Sequence, residues 1–234
     1  MDEPVKRVAS PGHTALVLGI LAAFAAWGAY NAQRMRATGS QHHIALYLQT
    51  LGFEWAMVGI ILWGVRREGG DTSVVLGERW NSAWEAFLDI RIAGLFWVAS
   101  LIALNVLSHI LHAGSRIEAV RFLMPHGAVE LALWVVLAIS AGICEEAIFR
   151  GYLQRQFLAY TGNVPAAIAL SAVAFGIGHG YQGLVSAVII TCYGAMFGVL
   201  AQWRKSVRPG MMAHGWQDSI AGIAGSILEK SLPK

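Results

Sequence analysis

Apolar residues fall into seven blocks along the chain, at about 14–31, 44–65, 90–111, 127–157, 164–180, 183–203 and 208–228. A helix needs about 20 such residues to cross a hydrocarbon core about 30 Å thick, so the blocks predict about seven membrane spans, with six to eight allowed. The fifth block is short for a full span, and the fourth is long enough to protrude or bend. Between the second and third blocks, Arg66, Arg67, Glu68, Asp71, Glu78 and Arg79 mix with Trp80, Trp84, Phe87 and Leu88. Those four apolar residues recur at spacings of four, three and one, which predicts an interfacial amphipathic helix near 71–89. The expected fold class is all-α, a polytopic transmembrane helical bundle with one interfacial helix.

Composition removes the soluble classes. Of 234 residues, 56% are hydrophobic and 13% charged, with nine Trp and a mean hydropathy of +0.53; soluble domains average about a quarter charged. The expectation is one integrated membrane domain, with N-terminal helices over 1–126 and a helical core over 127–234. The net charge of +3 is small, and the basic residues lie in short runs between apolar blocks. That layout anchors loops and gives no stripe for nucleic acid. Cys144 and Cys192 both fall inside apolar blocks and read as packing residues, not as a disulfide. Lys6 and Arg7 precede a charge-free run from Thr14 to Tyr30, the layout of an uncleaved signal-anchor.

Orientation follows from Lys and Arg. Lys6, Arg7, Arg66, Arg67, Arg79, Arg155, Arg204, Lys205 and Arg208 fall on one side of the seven-span arrangement, against Arg34, Arg36, Arg116, Arg121, Lys230 and Lys234 on the other. This bias predicts a cytoplasmic N-terminus, and the compact chain with short loops points to a bacterial inner membrane. Gly176 with Gly180, and Gly194 with Gly198, are small-xxx-small pairs that predict close approach of the fifth and sixth helices.

Polar residues inside apolar blocks carry the functional signal. Glu145 and Glu146 stand within the fourth block, where carboxylates are expensive and mark function. Arg150 follows Glu146 by four residues, the favourable order for an ion pair on one helix face. Glu145 points about 100° away and is left for chemistry. His179 closes the run Phe175-Gly176-Ile177-Gly178-His179, with Phe175 one turn back on the same face. His214 and Asp218 are also four apart; a carboxylate there can fix the imidazole tautomer, raise its basicity or share a metal with it. At about 1.5 Å per residue, Glu145 and His214 lie roughly 15 Å from the inner face and His179 roughly 24 Å. The mismatch shrinks if the fifth helix begins below that face. One polar site, in the inner half of the membrane or near its midplane, is expected. Glu54 and Glu130 read as near-interface residues.

Glu-Glu-x-x-x-Arg at 145–150, Phe-x-x-x-His at 175–179 and His-x-x-x-Asp at 214–218 follow one another on membrane segments, with one helix skipped before the last. Together they resemble the CAAX prenyl endopeptidase and bacteriocin-processing family of intramembrane proteases, also called the CPBP or Abi family, over roughly 127–228. The resemblance implies an endopeptidase that hydrolyses a peptide bond in a membrane-associated protein or peptide, prenylated or not, with 127–234 as the catalytic core. Glu145 would be the general base and His179 would help hold the water. His214 and Asp218 would polarise the scissile carbonyl and stabilise the oxyanion. Glu146, Arg150 and Phe175 would support them.

Cofactor use stays open at this point. Glu145, His179 and His214 could hold a zinc ion with one open position, and a metal-free glutamate mechanism fits the same residue types. Asp218 stands where eukaryotic relatives carry Asn. An ionised carboxylate cannot donate to an oxyanion, so Asp218 fits better as an orienting partner of His214 or as a metal ligand. The implied partners are membrane lipid and a peptide or protein substrate, in an unspecified oligomeric state. Two other readings stand beside the protease. One is a family member acting without proteolysis, in bacteriocin immunity or as a membrane scaffold. The other is a transporter with an ion path over Glu54, Glu130 and the Glu145-Glu146 pair. The chain lacks His-Glu-x-x-His, Gly-x-Ser-Gly and Gly-x-Gly-Asp, the marks of other intramembrane proteases.

Overall fold

A computed structural model describes residues 6–39, 42–113 and 120–231. Of the basic residues used for orientation, Arg116 and Lys234 lie outside that set, as does the Lys230 side chain. The described elements are α1 (Pro11–Thr38), α2 (His43–Arg67), α3 (Ser73–Leu76), α4 (Ala83–Ile110), α5 (Gly127–Glu146), a π-helical segment (Ala147–Leu153), α6 (Gln154–Thr161), α7 (Val164–Gly178), α8 (Leu184–Arg204) and α9 (Arg208–Ser231), with 3-10 turns at Arg121–Leu123 and Gly180–Gln182. No strand occurs among the described residues. The protein is an all-α helical bundle, and each of the seven apolar blocks is helical.

Local chemistry sets the helix ends. Ser10 caps α1, its hydroxyl accepting from the His13 N–H, with Pro11 in the first turn and Gly39 ending the helix at φ 62°. Asn163 caps α7 through the Ala166 N–H, with Pro165 following. Among the described residues, five helices are long and apolar enough to cross a membrane: α1, α2, α4, the continuous Gly127–Thr161 and α8. The fifth block is the short apolar helix α7, of 15 residues. The outward surface carries large apolar side chains, among them Trp84, Leu95, Ile102, Leu184 and Trp203, which suits a lipid environment and makes this an integral membrane protein.

The 71–89 segment departs from expectation. It is not one surface helix: α3 is a single turn, 77–82 is non-helical, and residues 83–89 are the first turns of α4, capped by Ser82. The reason is packing. Val75 is fully buried and lies so close over Gly151 that a Cβ there would collide with the Val75 carbonyl oxygen. Trp84 and Phe87 remain exposed, as the amphipathic pattern required. Asp89 is buried instead, taking hydrogen bonds from Trp80 Nε1 and Arg204 Nε, each at 2.8 Å. Cys144 is buried, but Cys192 faces outward, and both are free thiols.

Glycines set the closest approaches. A Cβ at Gly142 would lie 2.6 Å from both the Gly215 nitrogen and the Met211 carbonyl oxygen, so α5 and α9 touch backbone to backbone there. One at Gly176 would meet Thr191 and the Ala187 carbonyl on α8, and one at Gly198 would meet Gln154. Gly180 has open space around it and takes no part in packing. Close to the Gly198–Gln154 contact in sequence, a buried polar cluster ties α1 to the π segment and α6. His13 Nδ1 is 2.7 Å from Tyr152 Oη, and Gln156 accepts from the Val8 N–H at 2.8 Å and donates to the Ala9 carbonyl at 2.9 Å.

Gly142→Ala is expected to destabilise the bundle by about 1–3 kcal/mol, the usual cost of overpacking a tight contact. Thermal unfolding of the purified protein in detergent measures it, and an unchanged midpoint would refute the α5–α9 crossing described here.

Candidate active site

The site is built where α5 runs into the π segment. Glu145 and Glu146 end α5, and Arg150 lies in the π segment one turn later. A π turn leaves backbone groups in an altered register and is often found at functional sites. Here the Phe149 carbonyl accepts from the Gln154 N–H and also from Ser171 Oγ at 2.7 Å, which binds the wide turn to α7.

Glu146 is fully buried and shared. Its Oε1 accepts from Arg150 Nη1 at 2.8 Å and from His214 Nδ1 at 3.1 Å. A carboxylate only accepts, so His214 carries its proton on Nδ1. Arg150 in turn donates from Nη2 to the Gly194 carbonyl at 2.9 Å. Its guanidinium carbon lies 4.4, 5.1 and 5.9 Å from the ring centroids of Phe175, Phe197 and Phe149. Such stacking suits the weakly hydrated guanidinium. A Cβ at Gly194 would come 3.1 Å from Arg150 Nη2, so the glycine is what admits the cation.

The other nitrogen of His214 faces the remaining carboxylates. Nε2 is 3.6 Å from Glu145 Oε2 and 3.5 Å from Asp218 Oδ2. Both are longer than ordinary hydrogen bonds. Glu145 Oε2 is buried with no hydrogen-bond partner among the described residues, so its lone pairs remain free to accept a proton. Asp218 is the most exposed of the three carboxylates, its side chain 39% accessible. The tautomer of His214 is therefore fixed by Glu146; Asp218, on the opposite nitrogen, does not supply that bond.

His179 ends α7 at its C-cap. Its Nδ1 donates to the Phe175 carbonyl at 2.9 Å, which leaves Nε2 as an acceptor. The Phe175 ring stands between the two histidines, with centroids 4.7 Å from His179 and 6.0 Å from His214. His179 and Glu145 line one cavity of about 400 Å³, walled by Leu18, Leu21, Phe24, Trp27, Phe53, Phe149 and Ile177, among others. Glu145 thus touches both the cavity and His214. The set Glu145, His179 and His214 is not gathered as metal ligands: among the described residues, only His43, His126 and Glu130 bring their ligand atoms within 4.8 Å of one another. No chemical step here runs through a zinc ion at Glu145.

Two further polar groups lie near the site, one read from the sequence as a near-interface residue and one not singled out there. Glu54 lies near the middle of α2, 4% exposed, taking a 3.3 Å hydrogen bond from Ser140 Oγ and lining the same cavity as Glu145. It is an interior residue of the bundle, not a near-interface one; its position at the centre of an apolar block was the available signal. Tyr193 of α8 buries its hydroxyl without a partner among the described residues, its ring 6.3 Å from that of His214. Nothing in the local sequence distinguishes it from a packing tyrosine.

Residues 126–220 match the family model of the type II CAAX prenyl endopeptidase, Rce1-like. That segment is Rce1-like. It contains every residue of the candidate site from Glu145 to Asp218, and the family it is similar to is one of intramembrane proteases. No curated protein and no solved structure matches the chain significantly. The long helices α1, α2 and α4 lie outside the Rce1-like segment, although α1 and α2 supply most of the cavity wall.

Arg150→Met leaves the Glu146 carboxylate buried and without its cation, a change expected to cost about 3–5 kcal/mol. Arg150→Lys keeps the charge but cannot reproduce both hydrogen bonds and the aromatic stacking, and should fall between wild type and Arg150→Met. Thermal midpoints in detergent give the order, and equal midpoints for all three proteins would contradict the shared-carboxylate geometry.

Proposed function

We propose that the protein is an intramembrane endopeptidase of CAAX type in which Glu145 activates water. The observation that carries this reading is the Glu145 carboxylate, whose Oε2 has no hydrogen-bond partner among the described residues, 3.6 Å from His214 Nε2 at the edge of an apolar cavity. A carboxylate there is too costly for packing alone. It has the free lone pair that a general base requires.

In this mechanism a water lies between Glu145 and His179. Glu145 removes one water proton as the oxygen attacks the scissile carbonyl, while His179 Nε2 accepts a hydrogen bond from the remaining O–H, which stays on the attacking oxygen. The carbonyl π bond opens, and the tetrahedral oxyanion is met by His214 in its doubly protonated form, which donates from Nε2. Glu146 holds that ring through Nδ1 and Arg150 holds Glu146. Collapse of the intermediate re-forms the carbonyl and breaks the C–N bond, and Glu145 returns its proton to the departing amine. Asp218 lies beside Nε2 and favours the charged imidazole; being an ionised acceptor, it does not itself donate to the oxyanion.

Substrate chemistry follows from the cavity. Its wall is predominantly apolar, from α1, α2 and α7, and it accommodates a lipid chain or a hydrophobic peptide segment next to Glu145. The substrate in this reading is a membrane-associated protein or peptide, prenylated or carrying an apolar segment. The Rce1-like segment acts as the catalytic core and the N-terminal helices as its wall, in one integrated domain of a bacterial inner-membrane protein with a cytoplasmic N-terminus.

Fluorogenic peptides, prenylated and unprenylated, test the proposal on the purified protein. Glu145→Gln is expected to lower the cleavage rate by about a hundredfold or more, the usual worth of a general base, and His179→Ala to lower it substantially. Cleavage unchanged in both variants would sink the site assignment. A cellular effect that survives Glu145→Gln would point instead to a scaffold or immunity role.

A further inference from the structure

A second constellation lies at the opposite end of α5 from Glu146. His43 begins α2, and His126 and Glu130 flank the start of α5. His43 Nδ1 is 2.9 Å from Glu130 Oε2 and 3.3 Å from His126 Nδ1, and His126 Nδ1 is 3.8 Å from Glu130 Oε2. These three separations bracket the edge of about 3.4 Å expected for a tetrahedral ion with bonds of about 2.0–2.1 Å to nitrogen and oxygen.

Hydrogen-bond bookkeeping narrows what can lie between them. His43 Nε2 is 3.0 Å from the Phe122 carbonyl, which only accepts, so that nitrogen carries a proton. With the ring a neutral imidazole, its Nδ1 lone pair points at Glu130 and His126. A carbonyl holding the far N–H of a histidine is the usual outer support of a metal ligand, fixing both tautomer and ring orientation. Glu130 is steadied likewise, its Oε2 accepting the His126 backbone N–H at 2.8 Å. One proton on His43 Nδ1 can serve Glu130 or His126, whereas one cation serves all three. The His43 side chain is only 1% exposed and that of His126 is 35% exposed, so the cluster is anchored on one side and reachable on the other.

We propose that His43, His126 and Glu130 form a binding site for a divalent transition-metal ion of the zinc type, separate from the peptidase centre, with a fourth position left for water. Two imidazoles and a carboxylate are the donor set such an ion prefers. The ion joins α2 to the start of α5. It also fixes the 121–123 turn, because the Phe122 carbonyl holds His43 and the Leu123 carbonyl accepts from Tyr47 Oη at 2.5 Å. Phe122 and Leu123 line the cavity that reaches Glu145, so the metal stiffens one end of the substrate cavity without touching the reacting atoms.

The test uses the full chain purified in detergent without a polyhistidine tag, stripped with chelator and dialysed against buffered zinc chloride at low micromolar free metal. Metal analysis is expected to find one zinc ion per chain in the wild type and in Glu145→Gln. His126→Ala and Glu130→Gln should weaken binding at least about tenfold, as ligand-shell losses do. Zinc should raise the thermal midpoint of the wild type and not of His126→Ala. Each variant's midpoint with zinc is read against its own midpoint without metal, so loss of the His126 contacts to His43 and Glu130 does not mimic loss of the zinc effect. No bound zinc in the wild type, undiminished binding in His126→Ala, or loss of zinc in Glu145→Gln would each overturn the proposal, the last by placing the ion at the peptidase centre.

Discussion

One buried carboxylate holds the site together. Glu146 Oε1 takes two hydrogen bonds, from Arg150 and from His214, and Arg150 passes the connection on to the Gly194 carbonyl. The last turn of α5, the π segment, α8 and α9 thus meet at a single anion. Desolvating the Glu146–Arg150 pair is costly, and offsetting that cost demands good geometry at both Nη hydrogen bonds, the more so because Arg150 Nε has no partner among the described residues. That demand reaches into the backbone. Gly142 lets α5 touch α9, Gly194 admits the guanidinium, and Gly210 lies under the carboxylate, where a Cβ would come 3.2 Å from Glu146 Oε2.

The same constraint separates two adjacent acids of identical chemistry. Glu146 has its Oε1 filled by cationic and imidazole donors, so it is an anchor. Glu145, one residue earlier, keeps Oε2 without a hydrogen bond and lines the cavity. Because His214 is held through Nδ1 by the anchor, its Nε2 is directed at Glu145 and Asp218. Orientation of the imidazole is inherited from a buried ion pair, one side chain removed from the cavity that Glu145 lines.

Much of this was legible in the sequence, and for a physical reason. In an apolar chain the cost of each polar side chain is so high that position alone carries information. Hence the helicity of the seven apolar blocks, the Glu146–Arg150 pair and the convergence of Glu145 with His214 could be read directly from spacing, although only five helices are long and apolar enough to span among the described residues. What could not be read depends on three-dimensional contact. The partner of His214 Nδ1 is Glu146, 68 residues away, whereas the local motif offered Asp218. The amphipathic pattern of 71–89 correctly exposed Trp84 and Phe87, yet Val75 plugs into the π turn and breaks the segment in two, because that turn leaves a glycine-sized gap at Gly151. Glu54 was placed near an interface, and tertiary packing buries it beside the site.

Chemistry and cavity wall come from different parts of the chain. Every polar residue from Glu145 to Asp218 falls within the Rce1-like segment, but most of the wall facing Glu145 comes from α1 and α2. Those helices carry no motif, and they are held by polar ties at both ends. The His13–Tyr152 and Gln156 contacts secure the start of α1, and the His43–Glu130 contact secures the start of α2. Hydrogen bonds buried in an apolar bundle have no water to compete with them, so they fix relative helix positions more firmly than apolar contact with lipid-like surfaces can. The wall is therefore rigid at its ends and shaped by side chains the family match does not cover. Likeness in the Rce1-like segment covers the candidate site, whereas the shape of the cavity beside Glu145 rests largely on the residues of α1 and α2.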